Sequence, residues 1–472
     1  MSKYKQLGKN TILVFLGNTG SKLIGLFMLP FYTKWLSVED YGITDIITVY
    51  VSFFLGIITC SITEAIFIFP KNVPKDEQKS YFSSGLFFAL FSFIVAAILF
   101  ALVQWSCNIL EISNSFTKYA WVIYFIIIAT FIQNYLQQFS RSINLVRVYA
   151  VSGLLLTFFS AFFSFVLMPK FGVFGFIYAQ IVSLLLTSIY TFIFSKSNSF
   201  FSINSINKKS YKEMLIYSIP LIPNGIMWWL VSALNRPIIE HYLSIKEVGL
   251  FAVANKFPSL LTMVFSIFIF SWQISVLEEF NNESYKQFYN KVLRVIFIIL
   301  FLISCGLTIF SKLIVSIMVD DKFFEAWKLI PILTFAVLFS SLSGYVGSNF
   351  SASRESKYFF YSSIWGAITS IVFNVILIPF FGLFGAALAV VLSFVVMAIS
   401  RIIYSWKYVQ ITNMPIYCYM IIINISVIGI TFYIQNLIIK FLLYLLCFLV
   451  FVIVNRKLKG DVKDAYLMLK KR

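Results

Sequence analysis

Apolar runs of about twenty residues follow one another along almost the whole chain, divided by short polar connections. They cover 11–35, 41–69, 81–105, 117–139, 149–168, 174–195, 213–234, 248–277, 292–315, 327–348, 358–378, 384–404, 416–434 and 438–455. At ~1.5 Å of rise per residue, each is long enough to cross a hydrocarbon layer of ~30 Å as a helix. A membrane β-barrel would instead show segments of roughly ten residues with alternating polarity, and none stands out. The pattern predicts an all-α polytopic membrane protein of about fourteen helices.

The elements between the runs repeat. "VLMPKFGVFGFIYA" (166–179) and "ILIPFFGLFGAALA" (376–389) agree at seven of fourteen positions, 210 residues apart. "PFYTKWLSVEDYG" (30–42) matches "PIIEHYLSIKEVG" (237–249) at an offset of 207, with Pro30, Leu36, Ser37 and Gly42 recurring as Pro237, Leu243, Ser244 and Gly249. A weaker echo sets "RVYAVSG" (147–153) against "KYFFYSS" (357–363). Three ordered matches at nearly one offset indicate an internal duplication. Each copy holds six spans, and an even number returns the chain to its starting side, so the copies are expected to be parallel repeats. The expected organisation is an N-terminal bundle over 1–205, a second over 206–410, and two extra helices with a basic tail over 411–472. Within each copy, Pro169 or Pro379 is expected to end a helix. Gly172, Gly175, Gly382 and Gly385 are expected to allow a short turn and close packing.

Composition agrees with the spans: 60% of the chain is hydrophobic and 12% charged, against about 25% charged in soluble proteins. The net charge of +18 raises the possibility of a nucleic-acid partner, but its placement argues for topology. With each charge at a span end assigned to the nearer side, twenty-six of the 37 Lys and Arg fall on the side of the N-terminus and nine on the other. Lys22 and Lys256 remain inside spans. The acidic residues divide almost evenly. Asymmetry confined to basic residues is the positive-inside signature and places both termini in the cytoplasm. The tail is then a solvated or headgroup-touching end.

Several chemistries find no support. No cleavable signal peptide stands out. The five cysteines (Cys60, Cys107, Cys305, Cys418 and Cys447) lack paired spacing and are expected to be buried free thiols. The one histidine, His241, has no ligand cluster beside it, and no Walker A glycine loop is present. Neither a metal nor a nucleotide cofactor is expected, nor is an enzyme.

Two parallel six-helix repeats, the "LSVEDYG" element at 36–42 and the paired Pro-x-Phe-Gly-x-Phe-Gly turns resemble the multidrug/oligosaccharidyl-lipid/polysaccharide exporter superfamily. The likeness is greatest to its polysaccharide branch, the O-antigen flippases. The resemblance covers nearly the whole chain. It implies translocation of an undecaprenyl-diphosphate-linked oligosaccharide across the bacterial inner membrane, by alternating access between the two bundles. The partners it implies are that lipid-linked glycan, membrane lipids, a polysaccharide polymerase and a chain-length regulator, with proton or sodium coupling left open. The rival readings are a drug or cation antiporter of the same superfamily, a flippase for the peptidoglycan lipid precursor, and a membrane polysaccharide polymerase. An antiporter would favour acidic intramembrane residues, and a polymerase would need a large external loop; here the deepest charge is a lysine and the external loops are short.

Moving a diphosphate through hydrocarbon calls for fixed cations in a hydrated path. An ionisable residue inside a span costs at least ~2.5–3.5 kcal/mol and is a functional candidate by default. Lys22 lies near the middle of the first span, on a stripe with Asn18, Ser21 and Gly25. It is either a substrate contact or a snorkelling or structurally paired lysine. Lys256, beside Asn255 and before Pro258, occupies a shallower position in the eighth span. Gln137 and Arg141 share a face at the inner end of the fourth span, and Arg236 lies at the outer mouth of the seventh; arginine suits diphosphate through its planar fork. Lys22, Lys256, Arg141, Arg236, Asn18, Asn255 and Gln137 are therefore the candidate substrate contacts. Asp45 and Glu64 are candidates for ion coupling, with an interfacial carboxylate as the plainer reading of each. Asp45 begins a stripe through Thr48, Ser52, Gly56, Thr59 and Thr63 along the second span. Pro220, Pro223 and Pro258 are candidate gate or hinge positions. Trp228 and Trp229 are either sugar-stacking rings or ordinary packing.

Overall fold

A computed structural model describes residues 24–434 and 436–454, and every regular element among them is helical. We number the α-helices α1 (Leu29–Trp35), α2 (Val38–Ile58), α3 (Ile62–Ile68), α4 (Lys75–Ile109), α5 (Ser115–Ser142), α6 (Val146–Phe194), α7 (Lys208–Ser218), α8 (Ile222–Ser232), α9 (Asn235–Tyr242) and α10 (Ile245–Lys256). They continue with α11 (Pro258–Glu279), α12 (Tyr285–Ile309), α13 (Ser311–Met318), α14 (Ile330–Ala352), α15 (Ser356–Ser405), α16 (Met414–Tyr433) and α17 (Leu437–Val454). Among the described residues, ten helical segments are long and apolar enough to cross a membrane. Two of them, α6 with 49 residues and α15 with 50, each contain two of the predicted spans. The protein is an all-α polytopic membrane protein.

The fold-back inside α6 and α15 rests on glycine. The helical path runs past Pro169 and Pro379 and breaks three residues later, at Gly172 (φ 53°, ψ −125°) and Gly382 (φ 57°, ψ −135°). Proline therefore marks the approach to the turn, and the backbone reverses where only glycine is unstrained. A Cβ on Gly175 would stand 2.4 Å from the Leu167 carbonyl oxygen, and one on Gly385 would stand 2.1 Å from that of Leu377. In an uninterrupted helix, residues eight apart would be separated by ~12 Å. Each Phe-Gly-x-Phe-Gly run is thus a helical hairpin: its first glycine turns the chain and its second lets the returning helix touch the outgoing backbone.

The chain divides into two units. The first runs to Trp229 and takes in Ser244–Gly249; the second holds Leu230–Leu243 and the chain from Leu250 onward. In the first unit, Phe82, Tyr135, Phe139, Ile123 and Ile127 build the core with α2 and α3 residues. The Tyr135 hydroxyl donates to the Phe82 carbonyl at 2.9 Å, and Tyr124 donates to that of Phe93 at 2.9 Å, so the buried phenols are satisfied. The repeated Leu-Ser element is explained here. Ser37 and Asp40 form a capping box at the start of α2, and the Ser244 hydroxyl accepts from the Glu247 N–H at 3.3 Å. A Cβ on Gly42 would fall 2.2 Å from the Ile245 oxygen, and one on Gly249 would fall 2.0 Å from the Val38 oxygen. The two copies therefore pack on each other, each glycine against the other copy's backbone.

The second span departs from expectation. α2 ends at Ile58 and α3 begins at Ile62, because Cys60 (φ 48°) and Ser61 (φ 51°) are both left-handed. The Ser92 hydroxyl donates to the freed Ile58 carbonyl, and the Ser61 N–H reaches Gly56 at 3.0 Å. The stripe from Asp45 to Thr63 is cut at this point.

The second unit is organised by α14 and α15. Trp272 and Tyr345 stack in its interior with centroids 4.5 Å apart, Tyr289 packs tilted against both, and Tyr345 donates to the Tyr289 carbonyl at 2.8 Å. The two last helices are fastened to α12: Asn424 donates to Ser304 at 3.0 Å, and Val427 and Cys447 pack with Ile309. Cys305 and Cys447 are buried as expected, but Cys418 is exposed and Cys60 and Cys107 are half-buried; all five are free thiols.

Hydrogen bonds between connections follow the in-out alternation of the spans. In the first unit, Ser80 bonds Ser210 at 2.8 Å and Tyr81 donates to Glu213 at 2.9 Å, joining the connections after the second and sixth spans. In the second unit, Lys407 pairs with Glu355, and Asn290 bonds Gln410 at 3.1 Å, joining those after the eighth, tenth and twelfth.

Candidate functional site

The richest polar grouping among the predicted residues lies at one end of the first unit, where α3, α5 and the start of α6 meet. Gln133, Gln137 and Arg141 recur every fourth residue and so share one face of α5. Gln133 is buried and donates to Gln137 at 3.1 Å, and Gln137 in turn donates to the Tyr149 carbonyl of α6 at 3.1 Å. Arg141 is half-buried. Its guanidinium lies 4.2 Å from the Phe67 ring centroid and 5.3 Å from that of Tyr149. Two ring faces hold the guanidinium plane by cation–π contact and leave its N–H edges as the directional donors. Phe67 belongs to α3, the short helix that carries exposed Glu64 in its first turn. The break at Cys60–Ser61 is therefore what aims α3, and Phe67 with it, at Arg141.

Chemically, this grouping is a cation held in orientation by aromatic rings, with an amide row behind it and a carboxylate on the neighbouring helix. It suits an oxyanion. The sequence pattern shows Gln137 and Arg141 together; it misses Gln133, although a third polar residue on the same four-residue spacing was the signal. It also misses Phe67 and Tyr149, because one aromatic among so many carries no mark of its role.

The other candidates are dispersed. Asn18 and Lys22 lie outside the described residues. Asp45 sits half-buried one turn after Tyr41 on α2, away from the Arg141 grouping on the far side of the Cys60–Ser61 break. Trp229 donates its indole N–H to the Val49 carbonyl at 3.1 Å, and its ring lies 4.4 Å from that of Phe53, so it is engaged in packing.

In the second unit, Arg236 is buried rather than open at a mouth. It donates to the Ser232 carbonyl at 2.6 Å and to Asn235 at 2.9 Å, and lies 5.1 Å from the Phe251 ring. Lys256 ends α10 and is exposed, with Asn255 half-buried beside it. Phe257 interrupts the helical run and Pro258 starts α11, so the expected continuous eighth span is two helices. A 3-10 turn over Ile219–Leu221 around Pro220 separates α7 from α8, and Pro223 falls in the first turn of α8. Bends stand at Pro220 and Pro258.

Arg401, counted in the sequence only among basic residues near a span end, is fully buried. Its Nε donates to Ser362 at 3.0 Å, and its two terminal nitrogens reach the Ser343 carbonyl at 3.0 Å and Ser363 at 3.3 Å. The guanidinium lies 4.0 Å from the Phe359 ring. It ties α14 to both arms of the α15 hairpin.

The helices define an all-α polytopic membrane protein. Residues 7–272 match the family described as polysaccharide biosynthesis protein, and the chain belongs to that family. Over 237 residues it is 24% identical to the "Probable low-salt glycan biosynthesis flippase Agl15" of Haloferax volcanii, covering 49% of this chain and 50% of that protein. The chain thus spans about half the length of that relative. Among solved structures, it resembles the lipid II flippase MurJ in an inward closed conformation (TM-score 0.74, 18% identity, 95% of this chain and 99% of that one). It also resembles an inward-facing multidrug resistance MATE family transporter (TM-score 0.62, 14% identity, 82% and 97%). At these identities the likeness is one of fold.

Proposed function

We propose that the protein is a flippase that moves an undecaprenyl-diphosphate-linked oligosaccharide, the repeat unit of an O-antigen or another surface polysaccharide, across the bacterial inner membrane. The observation that carries this reading is the family match over residues 7–272. The named flippase relative supports it, as does a cation held between rings on the matched part of the chain. In this reading both termini are cytoplasmic, the sugars and diphosphate pass through a polar path while the lipid tail stays in the bilayer, and Lys22 and Arg141 hold the diphosphate by charge-assisted hydrogen bonds. Asp45 and Glu64 are the residues through which a proton or sodium gradient would act.

The test is depletion of the protein in its own cell. Lipid-linked repeat units should accumulate on the cytoplasmic leaflet and the surface polymer should disappear. Normal surface polymer with heightened drug sensitivity would favour the antiporter, and arrested wall growth would favour the peptidoglycan precursor as cargo. At the residue level, Lys22→Met removes the charge at similar length. Normal flipping per molecule by that variant would take Lys22 out of the mechanism.

A further inference from the structure

A second cationic site lies in the second unit, away from every residue assigned above. The first turns of α12 and the segment from α15 to α16 enclose a cavity of about 510 Å³. Its lining includes Lys286, Lys291, Arg294 and Lys407, with Asn290 and Trp406. Among the described lining residues none is acidic. The site is built rather than incidental. Lys286, Asn290 and Arg294 recur every fourth residue along one face of α12, and Lys291 stands in the adjacent row. Asn290 is buried and clamps the opposite wall: its amide donates to the Gln410 carbonyl at 3.1 Å, and its oxygen accepts from the Thr412 N–H at 2.8 Å. Lys407 is oriented by its pair with Glu355 and lies 4.4 Å from the Tyr358 ring. Lys291 and Arg294 are half-buried, so their charges are only partly screened by water.

We infer that this cavity binds the phosphoryl headgroup of an anionic membrane phospholipid. Lysine and arginine converging on one concave surface match a phosphate diester by charge. The walls point to a lipid as the source rather than a dissolved anion. Both bordering helices are apolar membrane spans, and the cavity opens where their polar ends begin. Trp406 is 55% exposed at its lip, and Ile403 and Ile399, at 55% and 50%, continue from it down the outside of α15. Spaced three and four residues apart, these side chains form one apolar stripe along which an acyl chain can lie while its headgroup occupies the basic cavity. Basic pockets between spans at a cytoplasmic face are suited to such headgroups.

The experiment uses the full chain purified in detergent, with lipids retained on it counted by native mass spectrometry. Phosphatidylglycerol and phosphatidylcholine are titrated separately. The wild type should hold one phosphatidylglycerol at least about tenfold more tightly than phosphatidylcholine, given three or more basic groups acting on the headgroup. Lys286→Gln/Lys291→Gln/Arg294→Gln should lose that lipid. Lys208→Gln/Lys209→Gln/Lys212→Gln, which removes the same charge from α7, should keep it. Asn290→Leu leaves every charge in place but frees the opposite wall, and should weaken retention about threefold or more. Should the triple variant fail to fold, Arg294→Gln alone should show the same direction of change. Equal losses in the two triple variants would overturn the proposal, because net charge would then explain retention. So would displacement of phosphatidylglycerol by inorganic diphosphate, which would make the occupant a soluble anion.

Discussion

Arg141 in the first unit and Arg401 in the second both lie over a phenylalanine ring, at 4.2 and 4.0 Å. Their surroundings differ in kind. Arg401 is fully buried, and three hydroxyl or carbonyl oxygens of its own chain accept its N–H groups. Arg141 is half-buried and held chiefly by ring faces. A guanidinium whose directional donors are consumed internally can fix helices but has little left for a ligand. One positioned through its faces keeps its edges for an anion. The two sites show one side chain in two settings, its donors consumed by its own chain or its faces held by rings, on criteria that net charge and span position do not contain.

The comparison breaks most severely at Arg401. Arg401→Met should leave three oxygens without their donor and destabilise the second unit by about 3 kcal/mol, since hydrogen bonds to charged groups each contribute roughly 1.5–3 kcal/mol. Membrane abundance should fall sharply while flipping per surviving molecule stays close to normal. Full abundance with lost transport would reverse the assignment.

The complementary change is smaller in free energy and opposite in character. Arg141→Gln should leave abundance and thermal unfolding unchanged but lower transport at least about tenfold, the loss of one charge-assisted contact. Arg141→Lys should recover part of it, limited by the point charge of the ammonium. Reduced abundance of Arg141→Gln with normal turnover would place Arg141 beside Arg401 as a structural residue.

The smallest effect belongs to a third cation, Lys407, at the rim of the basic cavity. Its pair with Glu355 holds that carboxyl below its usual range and the ammonium above its own. A carboxyl with a depressed pKa adds stability that is present above its ordinary titration range and is lost as pH falls through the lowered value. Exposure and salt make the contribution slight. Glu355→Gln should therefore unfold marginally earlier than wild type near neutral pH, and the gap should close in acid, as measured by thermal melts across pH. A gap that widened in acid would contradict the sign.

The apolar spans among the described residues and the paired hairpin turns were legible because apolar run length and glycine placement act locally. Gly172 and Gly382 could be read as turns, whereas the exact break, three residues beyond each proline, depended on where the returning helix meets Leu167 and Leu377. The capping box of Ser37 and Asp40 was visible only as a repeated motif; its mutual packing with the 244–249 copy needed three dimensions. The break at Cys60–Ser61 had no proline or glycine to announce it. Two ordinary residues were forced left-handed, and Ser92, more than thirty positions away, satisfied the exposed carbonyl. Lone polar residues were ranked by depth in the bilayer. Gln137 and Arg141 were read together from their shared helical face, whereas Arg236, expected at an outer mouth, is turned inward by its partners Ser232 and Asn235.

The docking of Ser244–Gly249 onto Val38–Gly42 sets an order for the birth of the molecule. At about 5–20 residues per second, the first of these segments leaves the ribosome roughly 10–40 s before its counterpart. During that interval the backbone around Gly42 has no Ile245 to receive it, although the six spans of the first repeat have already been made. Completion of the first unit is thus coupled to synthesis of the second repeat's opening helices. A gene split at residue 205 separates the two contact surfaces onto different polypeptides, whereas a split after residue 249 leaves them on one.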